Sequence, residues 1–88
     1  SNGRVALFDF AGGPLSFGAA ADLGHHVREK ARDGMAAIIL DFSRVPTLDL
    51  SAAMAVDTIG SDAKKAGRKV YITGLNDKVS ATLAALDA

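Results

Sequence analysis

Residues 36–42 (A-A-I-I-L-D-F) are apolar except for Asp41, with no alternation of polar and apolar positions. A half-exposed strand would show a period of two, so this run predicts a central parallel strand covered on both faces. Residues 5–10 (V-A-L-F-D-F) predict a first strand. The Gly12-Gly13 pair after it suits a tight reversal, and Pro14-Leu15 then opens a short second strand antiparallel to the first. Ser16 can cap a helix running to about residue 33, whose apolar stripe is Ala20, Leu23, Val27 and Ala31, with Gly34 at its exit. After the central strand, Pro46 forbids continuation of a ladder and biases Val45 to an extended conformation. A helix over about 50–66 follows, with Ala52, Val56, Ile59 and Ala63 on its inner face. Lys64 and Lys65 sit against its C-terminal dipole, and Gly67 ends it. Residues 69–73 (K-V-Y-I-T) are β-branched and aromatic, a strand by composition. Gly74-Leu75 breaks it, and Asn76 or Asp77 caps a last helix that places Val79, Leu83 and Leu86 on one face.

The order strand, strand, helix, strand, helix, strand, helix predicts an α/β domain. Its sheet is mixed and four-stranded, an opening antiparallel hairpin followed by right-handed parallel βαβ units, with the three helices mainly on one face. Ser1-Asn2 is a candidate cloning scar, and residues 3–88 are expected to form one domain.

Composition narrows the function more than the fold. Ten basic and ten acidic side chains give zero net charge, which argues against nucleic acid as a partner, since phosphate neutralisation needs a basic excess. Cysteine is absent, so disulfides and thiolate metal sites are excluded. No apolar run reaches the roughly 18 residues that cross a bilayer, and the chain reads as soluble and cytosolic.

The residues with chemical interest lie after the central strand. Ser51 falls in the first turn of the second long helix. There its hydroxyl can accept from a free backbone N–H as a cap, and the same place suits a phosphate group. Asp49 has no nearby histidine to complete a nucleophilic relay and is better read as a cap on the loop or helix. Asp41 stands at the carboxyl end of its strand, where ligands gather in open α/β sheets, but it lacks a second convergent group and reads first as a loop-fixing aspartate. With Ser43, Leu50 and Ala52 these residues define a loop and helix-start surface. His25 and His26 are adjacent on a helix and diverge by about 100°, so they cannot share one metal. Gly12-Gly13 is not followed by the lysine of a phosphate loop. Lys64, Lys65, Arg68 and Lys69 form a basic cluster at a turn, explained by a solvated helix end, with contact to anionic lipid or an acidic partner as the functional reading. No constellation supports an enzyme.

The run L-D-F-S-R-V-P-T-L-D-L-S-A (residues 40–52) resembles the signature of the STAS domain, shared by sulphate transporters and anti-sigma-factor antagonists. The resemblance extends through G-G-P-L-S-F-G-A-A (12–20) and G-R-K-V-Y-I-T-G-L (67–75) to nearly the whole chain. In similar antagonists a serine in Asp-Ser-Ser-Gly is phosphorylated by the partner anti-sigma kinase. That position falls on Ser51, but here its flanks are Leu50 and Ala52 rather than serine and glycine. The 14–20 segment, Pro46 and Thr47-Leu48 look more like the cytosolic C-terminal domain of SulP-type anion transporters. That likeness implies a non-enzymatic module tethered beneath a transmembrane transport domain at the inner membrane, helping targeting or homodimerisation and binding regulators. The alternatives are a free-standing antagonist switched at Ser51 by an anti-sigma factor kinase, and a sensor binding GTP or ATP. No cofactor is otherwise implied.

Overall fold

The computed structural model describes residues 4–10, 13–31 and 34–86. Three strands, β1 (Arg4–Asp9), β2 (Met35–Asp41) and β3 (Lys69–Thr73), form one parallel sheet in the order β1-β2-β3. Three helices, α1 (Phe17–Lys30), α2 (Leu50–Lys65) and α3 (Asp77–Ala85), complete the βαβ alternation.

Alternate strand residues decide which face the helices cover. Ile38 and Leu40 of β2, with Phe8 of β1 and Phe42 just beyond β2, point into the core and are nearly or completely inaccessible. They meet the predicted stripes: Ala20 and Val27 from α1, Ala52, Val56, Ile59 and Ala63 from α2, and Val79 from α3. Alanine lets α1 and α2 lie close. At Gly24 an added Cβ would stand 3.3 Å from Ile59 Cγ1, so the crossing there has no spare room. Phe10 and Phe42 close the core with ring centroids 4.7 Å apart.

Two expectations need correction. The sheet is three-stranded and wholly parallel among the described residues, with no antiparallel hairpin. Gly12 lies outside those residues. Pro14 has no N–H to offer a ladder, and Leu15 instead forms one parallel bridge with Leu48, its N–H donating to Thr47 O at 2.9 Å. The segment after β1 therefore crosses to the loop before α2 rather than returning along β1. The second correction concerns β2, which helices cover on one face alone. Ala36 is exposed and Ile39 half-buried, and on the flanking strands Val5, Leu7 and Tyr71 are exposed. The apolar character of β2 on that side comes from its place between two strands, which shield Ala37 and part of Ile39 laterally. No helix among the described residues is long and apolar enough to cross a membrane.

Candidate functional site at the carboxyl end of the sheet

Because all three strands are parallel, their carboxyl ends and the start of every helix lie at the same end of the molecule. Each helix start is capped there by a side chain. Ser16 Oγ accepts from Ala19 N at 3.2 Å, Asp49 Oδ1 from Ala52 N at 2.7 Å, and Asn76 Oδ1 from Val79 N at 2.8 Å. The capping role thus belongs to Asp49 and not to Ser51. The physical reason is position: Asp49 is extended (φ −82°, ψ 173°), as a cap must be, while Ser51 is already the second helical residue. Ser51 is solvent-exposed, and its hydroxyl has no hydrogen-bond partner in the described structure.

The surface around Ser51 is unusually apolar for a helix start. Leu50 is 54% exposed and Met54 57%, and their spacing of four puts them side by side. Phe17, also exposed, lines a shallow depression between α1 and α2 with Ala55 and Thr58. Ala52, by contrast, is fully buried and belongs to the core.

Asp41 and Ser43 are brought together, but with each other more than with Ser51. Asp41 Oδ1 accepts from Ser43 N at 2.9 Å and Ser43 Oγ at 2.5 Å, with Thr73 Oγ1 at the outer limit of 3.5 Å. The Ser43 hydroxyl, then the Ser43 amide, hold the Asp41 carboxyl below its ordinary range. This is the loop-fixing role expected from the sequence. Through that oxygen Asp41 fastens the β2–α2 loop.

Two residues expected from the sequence only as a strand break and a helix cap also fix this loop. Gly74, just after β3, has φ 74°, and a Cβ there would fall 2.6 Å from Ser43 N and 2.8 Å from Asp41 Oδ1. Asn76 caps α3 and also donates from Nδ2 to Val45 O at 3.3 Å and Pro46 O at 3.0 Å. The β3–α3 turn therefore grips the loop that presents Ser51. A Gly-x-Asn after a strand is the only signal for either contact, and it does not identify a partner about 30 residues upstream. His26 lies with its ring edge-on to Phe8, centroids 5.7 Å apart, a packing role. Among the described residues no group of three or more His, Cys, Asp or Glu is placed to hold a metal.

A family model described as the STAS domain matches residues 2–88, a span that includes the β2–α2 loop. The chain belongs to the STAS domain family. A curated relative is the bicarbonate transporter BicA of Synechocystis sp., 40% identical over 73 residues that make up 83% of this chain and 12% of BicA. The chain thus spans about an eighth of that relative's length. Among solved structures, the SulP transporter STAS domain from Vibrio cholerae is 27% identical with a TM-score of 0.75, covering 93% of this chain and 62% of that one. A sulfate transporter family protein from Wolinella succinogenes gives a TM-score of 0.80 at 24% identity, covering 94% and 66%. The murine Solute Carrier 26 family member A9 anion transporter gives 0.78 at 21% identity, covering 96% and 14%. At these lower identities the likeness is one of fold.

Proposed function

We propose that this STAS domain is a non-enzymatic regulatory and interaction module of a SulP-type anion transporter, acting at the cytosolic face of the membrane on a transport domain in the same polypeptide. The observation that carries the reading is the 40% identity to BicA across the domain. The Ser51 surface adds what a docking site needs: exposed Leu50 and Met54 on a rigid helix, fastened by the Asp49 cap and by the Asn76 grip on the loop before it. Exposed apolar side chains held in place cost little entropy to dock, which favours partner binding over chemistry.

Phosphorylation of Ser51, the hallmark of the antagonist branch, keeps one specific observation in its favour. The hydroxyl is exposed, unengaged and set in the first turn of α2, where the helix dipole favours negative charge. Such a group would place nearly two charges between Leu50 and Met54 and turn an apolar docking surface into an anionic one. Sequencing the gene that encodes this domain separates the two settings. A dozen or so hydrophobic segments in the same product supports the transporter module, and a reading frame of about this length refutes it in favour of the free-standing antagonist.

A further inference from the structure

Zero net charge conceals a strongly polarised molecule. The ends of α1 and α2 and the start of β3 collect Arg28, Lys30, Lys64, Lys65, Arg68 and Lys69 against Glu29 and Asp62, whereas the opposite end carries Asp9, Asp41, Asp49 and Asp77 against Arg44 and Lys78. At the basic end a cleft of about 510 Å³ opens between the C-terminal halves of the two helices. Val27, Ala31, Ile59 and Ala63 form its apolar floor, and Arg28, Lys65 and Arg68 stand at its rim against a single carboxylate, Asp62. The Arg68 guanidinium is held without any acid: Nε donates to Met35 O at 3.1 Å, and a second N–H donates to Ala31 O. That contact covers a carbonyl at the end of α1, which would otherwise repel an anion.

We propose that this cleft seats the phosphate headgroup of an anionic phospholipid, docking the basic end of the domain on a bilayer surface. Charge complementarity selects the occupant. Three cations without ion-pair partners in the described structure, two of them guanidinium groups suited to phosphate, face the opening. The apolar floor matches the glycerol and first methylenes of a lipid, and a free phosphate would leave it wet. A nucleotide fits less well, because no aromatic side chain lines the cleft to stack a base. The Ser51 surface, at the other end of the strands, would be left open to partners.

The proposal does not depend on Ser51 or on the gene's other segments, so its failure and that of the transporter reading are distinguishable. The test is co-sedimentation of this chain with phosphatidylglycerol vesicles and with phosphatidylcholine vesicles at low salt. Binding to the first and not the second is expected. Lys64→Gln, on the α3 side of α2 and outside the cleft, should weaken binding about fivefold, the diffuse worth of one cation near a charged surface. Arg28→Gln and Lys65→Gln should lose about a further tenfold, the worth of a charge-assisted hydrogen bond. Ala66→Phe, which fills the cleft without changing charge, should weaken binding by a similar factor. Unchanged urea midpoints confirm that the variants fold. Absence of vesicle binding overturns the proposal, as does an equal loss in Lys64→Gln and Lys65→Gln with Ala66→Phe silent. Displacement of the vesicles by millimolar inorganic phosphate at unchanged ionic strength would also overturn it, assigning the cleft to free phosphate.

Discussion

Replacing Gly74 by alanine tests how the β3–α3 turn holds the loop that presents Ser51. Two separable costs arise. The first is backbone strain: at φ 74° an L-residue costs about 1–2 kcal/mol relative to glycine. The second is steric. The new methyl carbon would lie 2.6 Å from Ser43 N and 2.8 Å from Asp41 Oδ1, well inside contact distance, and backbone at Ser43 cannot swing away as a side-chain tip could. Relieving the clash pushes the β3–α3 turn away from the β2–α2 loop and disturbs the hydrogen bond that the Ser43 N–H donates to Asp41 Oδ1. The expected total is about 2–3 kcal/mol. Gly67 provides the control, since it has φ 82° but an added Cβ meets nothing within 4 Å. Gly67→Ala should therefore show the strain alone, about 1–2 kcal/mol. Urea denaturation of both variants, compared at equal m-values, isolates the contact term as their difference. Equal losses at the two positions would refute the argument that Gly74 is required by close approach to Asp41 and Ser43.

Other outcomes follow from the same geometry. Asp49→Ala should destabilise by about 1 kcal/mol through loss of the α2 cap, whereas Ser51→Ala should stay within about 0.5 kcal/mol, both read by thermal or urea unfolding. Asn76→Ala removes a cap and two carbonyl contacts and should cost about 1–3 kcal/mol, more than Ser16→Ala, which removes a cap alone. The lowered Asp41 pKa makes its contribution to stability complete above the unfolded-state value near 3.8 and lost as pH falls through the still lower folded value. Asp41→Asn should therefore flatten the acid limb of the stability curve below about pH 4, as followed by urea midpoints against pH.

Much of this architecture was written in local patterns. The helical stripes of α1 and α2 state their partner face through spacing, and the structure packs those stripes into the core, while the β-branched run at Lys69–Thr73 states a strand through composition alone and stays largely exposed. What failed depended on where the chain goes after a turn. Gly12-Gly13-Pro14 announces a break, but nothing local says that Leu15 will meet Leu48 in parallel instead of returning along β1. The cap of α2 was ambiguous because Asp49 and Ser51 are both good caps two residues apart. The choice rests on which one stays extended. The apolar run in β2 marks its central place in the sheet, where the flanking strands rather than a second layer limit the exposure of its far face. Asp41 and Ser43, two residues apart, were locally legible as a fastened loop, while the approach of Gly74 and Asn76 comes from a turn about 30 residues later and exists only in three dimensions.

The Leu50–Ser51–Met54 surface is proposed to regulate transport by a membrane domain in the same polypeptide. It is tested most directly by anion uptake in cells expressing the whole gene product with Met54→Glu or Ser51→Asp, each placing charge on an exposed position and leaving the core untouched. An altered uptake rate at unchanged amounts of protein in the membrane is expected. Uptake identical to that of the unsubstituted protein in both variants would contradict it.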